Sequence, residues 1–512
     1  MTASEGEDFL TIVRPQDARP VGNLLVEGTD AVRRAVASAR RAQEGWAAFP
    51  VRDRVRRLAP LRVVIARRAE EIVDRVVAET GKPETEALLE VSMVLGLMRR
   101  YEQRAPRLLE PRPGIRAHLA WKRAHTTREP WGVIAVLTPG DHPFLLPAEP
   151  TITALYGGNG VVLKPSEHAP FTGALLPELI ADAGLPPGLV EVVQGRGETG
   201  EALVVAGVDR IHLTGTPATA RKVLMAAAPR LLPTSLALGG KDPALVLEDA
   251  DLVRAARGIA FGSFYHAGQC CLATERVYVV EPVYEEFLRR VSREASGLRA
   301  GPAGEVDVGP IPLEERLLLV EEQLEDALER GARVLCGGQR LDPAANVFLP
   351  TVLADVTDRM RVMREETFGP LLPVMSVADE DEAVRRANAH PMGHFASVWT
   401  GDRERGRAVA GRLRCGGVSI NDTLSHRAHP GLPVGGVGET GHGSARGDDG
   451  LLLMTRPRVH VEDRLGLGRD PWWFPYRRRT RRCLRARIAW DGEAGVRRIS
   501  RAVGALFGRD ES

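Results

Sequence analysis

Two adjacent cysteines lie in the stretch HAGQCCLATERV, which runs from His266 to Val277. A cysteine thiolate is a nucleophile and a metal ligand, so Cys270 and Cys271 are the first residues to consider for chemistry. A bond between neighbouring cysteines is strained. Neither a second CxxC nor a nearby pair of histidines completes a zinc site, so we expect no metal. Locally, the pair remains either buried thiols acting as small hydrophobes or a site that contains a nucleophile.

Two glycine-rich turns are candidates for binding a phosphate-bearing ligand. LVEVVQ runs into GRGETG, which spaces Gly195, Gly197 and Gly200 as GxGxxG before a helical pattern. DRIHL runs into LTGTPATA, which places Gly215 and Thr216 ahead of another helix. Such turns let a phosphate approach a helix N-terminus. The acidic residue that typically follows GxGxxG by about 20 positions is not clearly present, so plain tight turns remain the alternative.

These residues need a scaffold that alternates strands and helices. Apolar spacing predicts helices from Thr29, over about 51–77 and over about 84–99, followed by a break in the proline-rich APRLLEPRPG. Short apolar strands follow: GVIAVL (132–137), GVVLK (160–164), LVEVVQ (189–194), DRIHL (209–213) and ALVLE (244–248). Strands separated by helices predict an α/β fold with a parallel sheet. The irregular stretches 364–374 and 421–443 are typical of segments that line a cleft.

Length and composition limit the class of protein. A chain of 512 residues with 44% hydrophobic residues is expected to form two or three domains with large cores. A net charge of +2 gives no reason to expect a nucleic-acid partner. The start, MTASEGEDFL, does not resemble a secretory signal, and no apolar run of about 18 residues predicts a membrane span. Five sparse cysteines agree with a cytoplasmic location.

Seven sequence blocks together carry a family resemblance. They are, in order, EPWGVIAVLTPGDHPF, VVLKPSE, AGLPPGLVEVVQGRGETG, LALGGKDPALV, GQCC, EETFGP and LPVGGVGETGHG. Over about residues 20–460 the chain resembles the aldehyde dehydrogenase superfamily. The resemblance implies a Rossmann-like cofactor domain, an α/β catalytic domain and a small β bridging element. It also implies NAD(P)-dependent oxidation of a small-molecule aldehyde to a carboxylic acid, through a cysteine thiohemiacetal and thioester.

The resemblance further implies a division of the chain and an assembly. The NAD-binding domain is expected over 1–110 and 131–236, the catalytic domain over 237–445, and the bridging element over 111–130 and 446–463. The bridging element is the part used for oligomer assembly, so a homodimer or homotetramer is expected.

Cys271 is the nucleophile that the resemblance implies, because it takes the last place of the family's GQxC block, with Cys270 as its neighbour. The residues that match the family's cofactor contacts are Lys164, Ser166, Glu167, Gly197, Gly215, Thr216, Leu238, Gly239, Glu366 and Phe368. Glu167 matches the position that holds the adenosine ribose hydroxyls. A carboxylate there would repel a 2′-phosphate, which favours NAD, with NADP as the alternative. The last glycine of the family's phosphate turn is Ala220 here.

The implied catalytic shell departs from the family. Where the family has its general-base glutamate, this chain has Ala237, at the family spacing from Cys271. The methyl group of an alanine cannot accept a proton. Where the family has the asparagine that donates to the oxyanion, this chain has Asp141. The tryptophan that precedes this asparagine in the family is replaced by Gly140. An aspartate donates only when protonated, which needs burial or a nearby like charge to raise its pKa. His266 replaces an asparagine; it is either a substitute base or, more simply, a packing residue.

Three functions are compatible with this shell. The first is an NAD-dependent aldehyde dehydrogenase with a weakened site, because general-base help is typically worth about 10²–10⁴ in rate. The second is a CoA-acylating dehydrogenase, since some family members that lack the glutamate pass the acyl group to CoA. The third is a pseudoenzyme that binds a nucleotide or serves as an assembly subunit.

A basic tail over 464–512 lies beyond the resemblance. DPWWFPYRRRTRRCLRARIAW holds seven arginines between Arg477 and Arg487 with no acid among them, and Trp472, Trp473 and Phe474 precede them. Arginines beside aromatic residues suit an anionic membrane surface or a nucleic acid. A solvated helix, or a tail packed on a partner subunit, is the simpler interpretation. Peripheral membrane contact stays as the alternative, and no nucleic acid is expected.

Overall fold

The computed structural model describes residues 8–115, 121–342, 346–466, 468–470, 472–492, 499 and 503. Contacts divide the chain into two compact units. The larger combines residues 1–111 and 127–458, and the smaller combines residues 112–126 and 459–512. Both large sheets lie in the larger unit. The predicted boundaries of the cofactor, catalytic and bridging segments remain predictions.

Helices occur along most of the described chain. They are α1 (Thr29–Ala47), α2 (Val51–Arg67), α3 (Ala69–Thr80), α4 (Glu84–Leu109), α5 (Leu145–Gly157), α6 (Pro170–Gly173), α7 (Leu175–Asp182), α8 (Gly197–Val205), α9 (Pro217–Ala227), α10 (Leu252–Phe264), α11 (Tyr284–Ser296), α12 (Glu314–Glu329), α13 (Arg361–Arg364), α14 (Glu380–Asn388), α15 (Arg403–Ala410), α16 (Gly447–Leu453) and α17 (Arg478–Gly492). Short 3₁₀ turns cover Ala228–Arg230, Tyr265–Gly268, Glu281–Val283 and Ser425–Ala428.

Strands form two large sheets and several small ones. They are β1 (Phe9–Val13), β2 (Pro20–Leu25), β3 (Arg112–Ile115), β4 (Lys122–Pro130), β5 (Val133–Leu137), β6 (Gly160–Lys164), β7 (Val190–Val192), β8 (Arg210–Gly215), β9 (Thr234–Leu238), β10 (Asp242–Val246), β11 (Thr274–Val280), β12 (Arg333–Cys336), β13 (Arg340–Asp342), β14 (Val347–Phe348), β15 (Thr351–Ala354), β16 (Leu371–Val377), β17 (Met392–Gly393), β18 (Phe395–Trp399), β19 (Gly417–Ile420), β20 (Val437–Gly438), β21 (Gly441–His442) and β22 (Thr455–Asp463).

The first large sheet has six strands in the order β21–β9–β8–β5–β6–β7, parallel except for β21. All residues of β5 are buried. Ile134 and Val136 join a core with helices α2 to α5, whereas Val133, Ala135 and Leu137 join a core with α1, α8 and α9. Alternate residues of a strand face opposite sides, so burial on both faces explains the continuous apolar run VIAVL.

The second large sheet has seven strands in the order β12–β15–β16–β11–β10–β18–β19, parallel except for β12. Its strands pack with helices α10, α11, α12 and α14 in one hydrophobic core. The chain crosses from the first sheet to the second between Leu238 and Asp242. Asp242 at the start of β10 pairs with Thr274 at the start of β11. The predicted α/β architecture with parallel sheets is confirmed.

Two predicted helix boundaries were wrong. The pattern over 51–77 is two helices, because the chain breaks at Arg68 between α2 and α3. The third helix does not stop near residue 99. It continues through Pro106 to Leu109, since Leu108 and Leu109 are buried in the same core as the rest of α4 and anchor its last turn.

The smaller unit contains the central part of a three-stranded sheet in the order β22–β4–β3. The indole N–H of Trp121 donates to Asp470 at 3.0 Å, and its ring stacks on Trp472. Lys122 forms an ion pair of 2.6 Å with Asp470. Within the residues that the structure describes, no helix is both long and apolar enough to cross a bilayer.

Candidate active site

The cysteine pair lies in a tight turn between α10 and β11. Asp251 caps the N-terminus of α10 by accepting two backbone N–H bonds, and the helix ends just before the turn. His266 has a positive φ of 53°, which bends the chain sharply. Cys270 is 2% exposed, whereas Cys271 is only half-buried. A substrate can therefore reach Cys271 more readily than Cys270.

A buried arginine lies against this pair. The Nη1 atom of Arg427 is 3.2 Å from the Cys270 sulfur, and Arg427 itself is buried. A hydrogen bond from the Cys271 thiol lowers the pKa of Cys270 to about 7; burial opposes this shift and Arg427 favours it. The same hydrogen bond, together with burial, raises the pKa of Cys271 well above its usual value. The two thiols therefore titrate as a pair, and the Arg427 charge beside Cys270 favours the negative charge on that sulfur.

Asp141 is buried and electrostatically coupled to both thiols. One carboxylate oxygen bonds the ring of His142 at 2.9 Å, and the other, Oδ1, is buried without a hydrogen-bond partner. Burial raises the pKa of Asp141, against the effect of the nearby Lys82 ammonium. Burial thus supplies the condition under which an aspartate could donate a hydrogen bond, as the sequence argument required.

A buried ion pair holds the loop that carries Asp141. The Lys82 ammonium donates to Glu90 and to the backbone carbonyl of Asp141, both at 2.6 Å. Glu90 in turn accepts the backbone N–H groups of Phe144 and Leu145, at 3.1 and 2.9 Å. A carboxylate at this helix start satisfies donors that have no partner within the helix and interacts favourably with the helix dipole.

His266 is enclosed rather than open to a substrate. Its backbone N–H donates to Glu86 at 2.8 Å, and its ring N lies 3.6 Å from the same carboxylate. Burial, with the Lys82 and His142 neighbours, lowers the pKa of His266 well below its usual value, and burial raises the pKa of Glu86 to about 7. These contacts favour the packing interpretation of His266.

The turn after β9 joins the nucleophile to the 366–368 segment. Glu366 accepts the Gly240 N–H at 3.1 Å, and a Cβ on Gly239 would clash with the Glu366 carboxylate. A Cβ on Gly240 would lie 2.8 Å from the carbonyl oxygen of Cys271. The backbone contact leaves no room for a side chain at Gly240, and Glu366 and Cys271 lie on either side of one turn. Burial, helped by Glu275, raises the pKa of Glu366 to about 7.

A second buried ion pair fixes the 366–368 segment itself. Lys241 contacts Glu275 at 2.6 Å and the Thr367 hydroxyl at 2.9 Å. Glu275 accepts the backbone N–H groups of Thr367 and Phe368, at 2.8 and 3.0 Å. This network ties the loop that carries Glu366 to the start of β11, only a few residues beyond Cys271.

Ala237 offers no proton acceptor. It lies in β9, paired with Thr214 on one side and Gly441 on the other. A histidine lies near Cys271: His394 has its Nδ1 3.0 Å from the Cys271 carbonyl oxygen, and its buried Nε2 has no hydrogen-bond partner. Burial lowers the pKa of His394 to about 4, so its ring is neutral at physiological pH.

The KPSE residues lie at the carboxyl end of β6. Lys164 and Glu167 form an ion pair of 2.9 Å, and the Ser166 hydroxyl accepts the His168 N–H at 3.2 Å. Burial opposes ionisation of Glu167, but the Lys164 ammonium holds the pKa of that carboxyl below its usual value. Ligands of open α/β sheets bind at this edge, so the charged Glu167 is in a position to accept ribose hydroxyls.

The two glycine-rich turns also face helix N-termini. Gly197 begins α8, and a Cβ there would meet no atom within 4 Å. Gly215 ends β8, and Thr216 caps α9 by accepting the Thr219 N–H at 3.2 Å. A Cβ on Gly215 would touch only Leu213, at 3.7 Å. Together with Glu167 and Glu366, these open turns fit a dinucleotide laid along the sheet edge.

A cavity of about 670 Å³ lies behind residues that contact the cysteine pair, which itself does not line it. Its wall includes Tyr265, Leu424 and Arg427; the first two pack with Cys270 and Cys271 in one apolar cluster. Further apolar wall residues are Leu89, Met93, Val253, Phe261 and Trp399. Three aromatic residues line this wall, Phe261, Tyr265 and Trp399. In the described part of the chain, no cluster of three or more potential ligands suits a metal.

Several residues of the site were not singled out from the sequence. They are Lys82, Glu90, Arg427, His394 and Glu275. Arg427 falls in the irregular stretch 421–443, which was assigned to a cleft as a whole. Glu275 follows Cys271 by four residues, but nothing in its spacing shows that it holds the backbone of a loop far along the chain.

Comparisons with known proteins agree with this geometry. The sequence model described as "Aldehyde dehydrogenase family" matches residues 1–459. The 4,4'-diapolycopene aldehyde oxidase of Methylomonas sp is 40% identical over 470 residues, covering 91% of this chain and 88% of that relative.

Two solved structures extend the comparison. The NADP-dependent glyceraldehyde-3-phosphate dehydrogenase of Bacillus halodurans C-125, complexed with NADP, has a TM-score of 0.84 at 34% identity, covering 89% of this chain and 96% of its own. A Mycobacterium tuberculosis aldehyde dehydrogenase complexed with NAD+ has a TM-score of 0.84 at 31% identity, covering 90% and 95%. These structures confirm the predicted fold class.

Proposed function

Because the chain belongs to the aldehyde dehydrogenase family, we propose that it oxidises an aldehyde with NAD(P) through a thioester on Cys271. The observation that carries this proposal is the position of Cys271. It is partly exposed, packs in one cluster with Tyr265 and Leu424 of the cavity wall, and is separated from Glu366 by a single turn of two glycines. This arrangement supports Cys271 as the nucleophile and Glu366 as a carboxylate that binds the dinucleotide.

In this proposal one cysteine of the pair acts as the base that activates the other as the nucleophile. Cys270, whose sulfur lies beside Arg427, carries the negative charge and acts as the base for the neighbouring Cys271 thiol. As Cys271 attacks the aldehyde carbonyl, its proton passes to Cys270, so no separate base is needed for this step. A C–S bond forms between Cys271 and the carbonyl carbon, and the electrons of the carbonyl π bond move to the oxygen, which becomes an alkoxide. Cys270, which now carries the proton, becomes a neutral thiol beside Arg427.

The alkoxide is stabilised by three groups in this proposal. The Cys271 backbone N–H remains as a donor, a protonated Asp141 donates through its unpartnered Oδ1, and the buried Arg427 supplies a positive charge nearby. Removing one such donor typically costs about 3–4 kcal/mol. Asp141 in its ionised form would repel the alkoxide, so the raised pKa of this residue is required for the reaction.

When bound, NAD(P) supplies the hydride acceptor. Glu167 and Glu366 would hold its two riboses, with Gly197, Gly215 and Thr216 near the phosphates and Leu238, Gly239 and Phe368 near the nicotinamide. The charged Glu167 favours NAD, because a 2′-phosphate beside this carboxylate would be repelled. NADP remains the alternative, since the relatives include an NADP complex.

Release of the acyl group is the slow step in this proposal. Ala237 cannot activate water, and the missing general base lowers the rate by about 10²–10⁴. His394, neutral and with an unpartnered Nε2, is the base present near Cys271. Transfer of the acyl group to CoA is the second candidate, favoured by the same alanine. A cofactor-binding pseudoenzyme is the third.

We propose an apolar aldehyde as the substrate class. The apolar part of the cavity wall is formed by Leu89, Met93, Val253, Phe261 and Leu424, and charged side chains also line it, namely Asp251, Arg254, Arg257, Asp422 and Arg427. Apolar walls with a few polar groups are typical of sites that bind apolar ligands. The likeness to a 4,4'-diapolycopene aldehyde oxidase supports the same class.

A homodimer or homotetramer in the cytoplasm is also proposed. Val459 and Val461, two residues apart on the edge strand β22, are 69% and 64% exposed on the same face. An exposed edge strand of this kind is a template for pairing with a second chain. Light scattering of the native chain and of a Val459→Lys, Val461→Lys variant tests this assembly, which predicts a lower mass for the variant.

A rapid-mixing experiment tests the proposed reaction. NADH formation is followed with a panel of apolar aldehydes, with and without CoA, and the intact mass of the protein is recorded. We expect a burst of NADH, slow turnover and an acyl adduct that is absent in Cys271→Ala. CoA-dependent turnover would select the CoA-acylating function. A panel that gives neither burst nor adduct would leave the pseudoenzyme.

A further inference from the structure

The basic C-terminal segment is anchored at its start within the smaller unit. Asp470 accepts the Trp121 indole N–H at 3.0 Å and pairs with Lys122 at 2.6 Å, and Trp472 stacks on Trp121. These contacts bury Asp470 to 3% exposure. Residues 472–492 therefore extend from a fixed point of the fold.

The residues after this anchor present an exposed aromatic cluster. Trp473, Phe474 and Tyr476 are 53%, 74% and 66% exposed, and the last two rings lie 4.7 Å apart. Water-exposed aromatic groups in contact with each other are costly unless another surface covers them. Tryptophan and tyrosine are the residues enriched where a bilayer meets water.

Helix α17 continues this surface. Leu484 and Ile488, four residues apart and so on one face of the helix, are 53% and 71% exposed. Ala486, two residues from each of them and therefore on the opposite face, is buried. Arg477 and Arg481 are exposed and follow the same spacing as Leu484 and Ile488. The exposed face thus combines apolar side chains with arginines beside them.

The charged residues of this segment between positions 471 and 490 are all positive. Between residues 471 and 490 the sequence contains seven arginines and no acid, whereas the whole chain carries only +2. Excess positive charge on an exposed apolar helix face is complementary to an anionic lipid surface, because arginine contacts phosphate while its stem and the neighbouring aromatic rings enter the headgroup region.

We propose that residues 472–490 dock the enzyme on an anionic lipid bilayer, with Trp473, Phe474, Leu484 and Ile488 entering the interface and the exposed arginines contacting lipid phosphates. The contact is peripheral and reversible. It is independent of the chemistry proposed for Cys271, since it uses none of the active-site residues.

Vesicle sedimentation of the full-length protein tests this docking. The vesicles are phosphatidylcholine alone, or phosphatidylcholine with phosphatidylglycerol, each at low and high ionic strength. We expect binding to the anionic vesicles at low salt and weaker binding at high salt. One basic residue near an anionic surface is worth about fivefold in partitioning, so Arg477→Ala with Arg481→Ala should weaken binding about 30-fold.

Matched variants control for general surface effects. Arg34→Ala with Arg41→Ala, two exposed arginines of α1, removes the same charge and should change binding much less. Trp473→Ala with Phe474→Ala should weaken binding at both salt concentrations, whereas Val205→Ala with Met225→Ala, which removes exposed apolar groups elsewhere, should not.

Three results would overturn the proposal. The first is equal binding to neutral and anionic vesicles, or binding unchanged by the arginine and aromatic variants. The second is a loss of dimer mass in Trp473→Ala with Phe474→Ala without any vesicle binding, which would assign this face to a second copy of the chain. The third is retention of RNA without retention of lipid.

Discussion

The Nη1 atom of Arg427 lies 3.2 Å from the sulfur of Cys270, and both residues are buried. This contact places a permanent positive charge beside a thiol that sequence comparison treats as a mere neighbour of the nucleophile. It gives the two cysteines unequal roles, since Cys270 faces the charge and Cys271 faces the accessible side.

Loss of this charge should shift the pH at which the enzyme becomes reactive. In Arg427→Met the pKa of Cys270 rises from about 7, by roughly 1–3 units. Thiolate is therefore lost at neutral pH, and alkylation of the pair by iodoacetamide moves to higher pH. Arg427→Lys, which keeps the charge, should shift the profile less. Identical profiles for the wild type and Arg427→Met would show that the arginine does not act on the thiols.

Restoring the missing base should accelerate turnover. Ala237→Glu together with Asp141→Asn is expected to raise the steady-state rate by about 10²-fold or more, while the NADH burst changes little. The physical reason is that the glutamate activates the water that clears the thioester. Stopped-flow and steady-state NADH measurements separate the two phases. An unchanged steady-state rate with a persistent acyl adduct would mean that the position of residue 237 has been misassigned.

The Lys82–Glu90 ion pair should be essential for stability as well as for the site. Removing one member of a buried pair typically costs about 3–5 kcal/mol, so Lys82→Met and Glu90→Gln should each lower the unfolding temperature. The double variant should cost less than the sum of the two, because neither charge is then left alone. Thermal unfolding followed by circular dichroism measures this coupling, and strictly additive effects would argue against it.

Cofactor affinity should depend on pH through Glu366. Burial and the Glu275 charge raise the pKa of this carboxyl to about 7, so it is mostly protonated at pH 6 and mostly ionised at pH 8. The ionised form accepts ribose hydroxyls, so affinity for NAD should increase about tenfold over that interval. The raised pKa also means that Glu366 costs folding stability as pH rises through 7. Calorimetric titration of Glu366→Gln should show a flat profile, and a sloping one would assign the dependence elsewhere.

The choice of cofactor should depend on Glu167. Glu167→Gln removes the charge that repels a 2′-phosphate but keeps the shape, so binding of NADP should improve relative to NAD. Dissociation constants of both cofactors, measured by quenching of protein fluorescence, give the ratio. Glu70→Gln, which removes an exposed carboxylate in the first turn of α3, is the matched control. If the wild type already binds NADP more tightly, the proposed preference for NAD is wrong.

Runs of apolar residues in the sequence predicted the strands correctly where both faces of a strand are buried. The apolar runs of β5 and β6 are buried on both faces and were recognised as strands of a parallel sheet. The break at Arg68 was missed because both α2 and α3 keep helical spacing up to the break, and only tertiary contacts end one helix there.

The site was predicted only in part, and its roles remain proposals. Cys271, Glu366 and Gly239 each matched a family block, and the structure brings them to one turn. Lys82 and Arg427 could not be recognised, because each acts on atoms of residues far along the chain. A sequence shows which side chains are present, but it does not show which buried charge lies beside which sulfur.

The contact between Lys82 and Asp141 has a consequence for how this enzyme can vary. Lys82 holds position 141 by its backbone carbonyl and not by its side chain. The loop backbone therefore keeps the same path whichever residue occupies position 141, so asparagine and aspartate can replace each other there without moving the loop. A change in chemistry at this point needs no change in architecture.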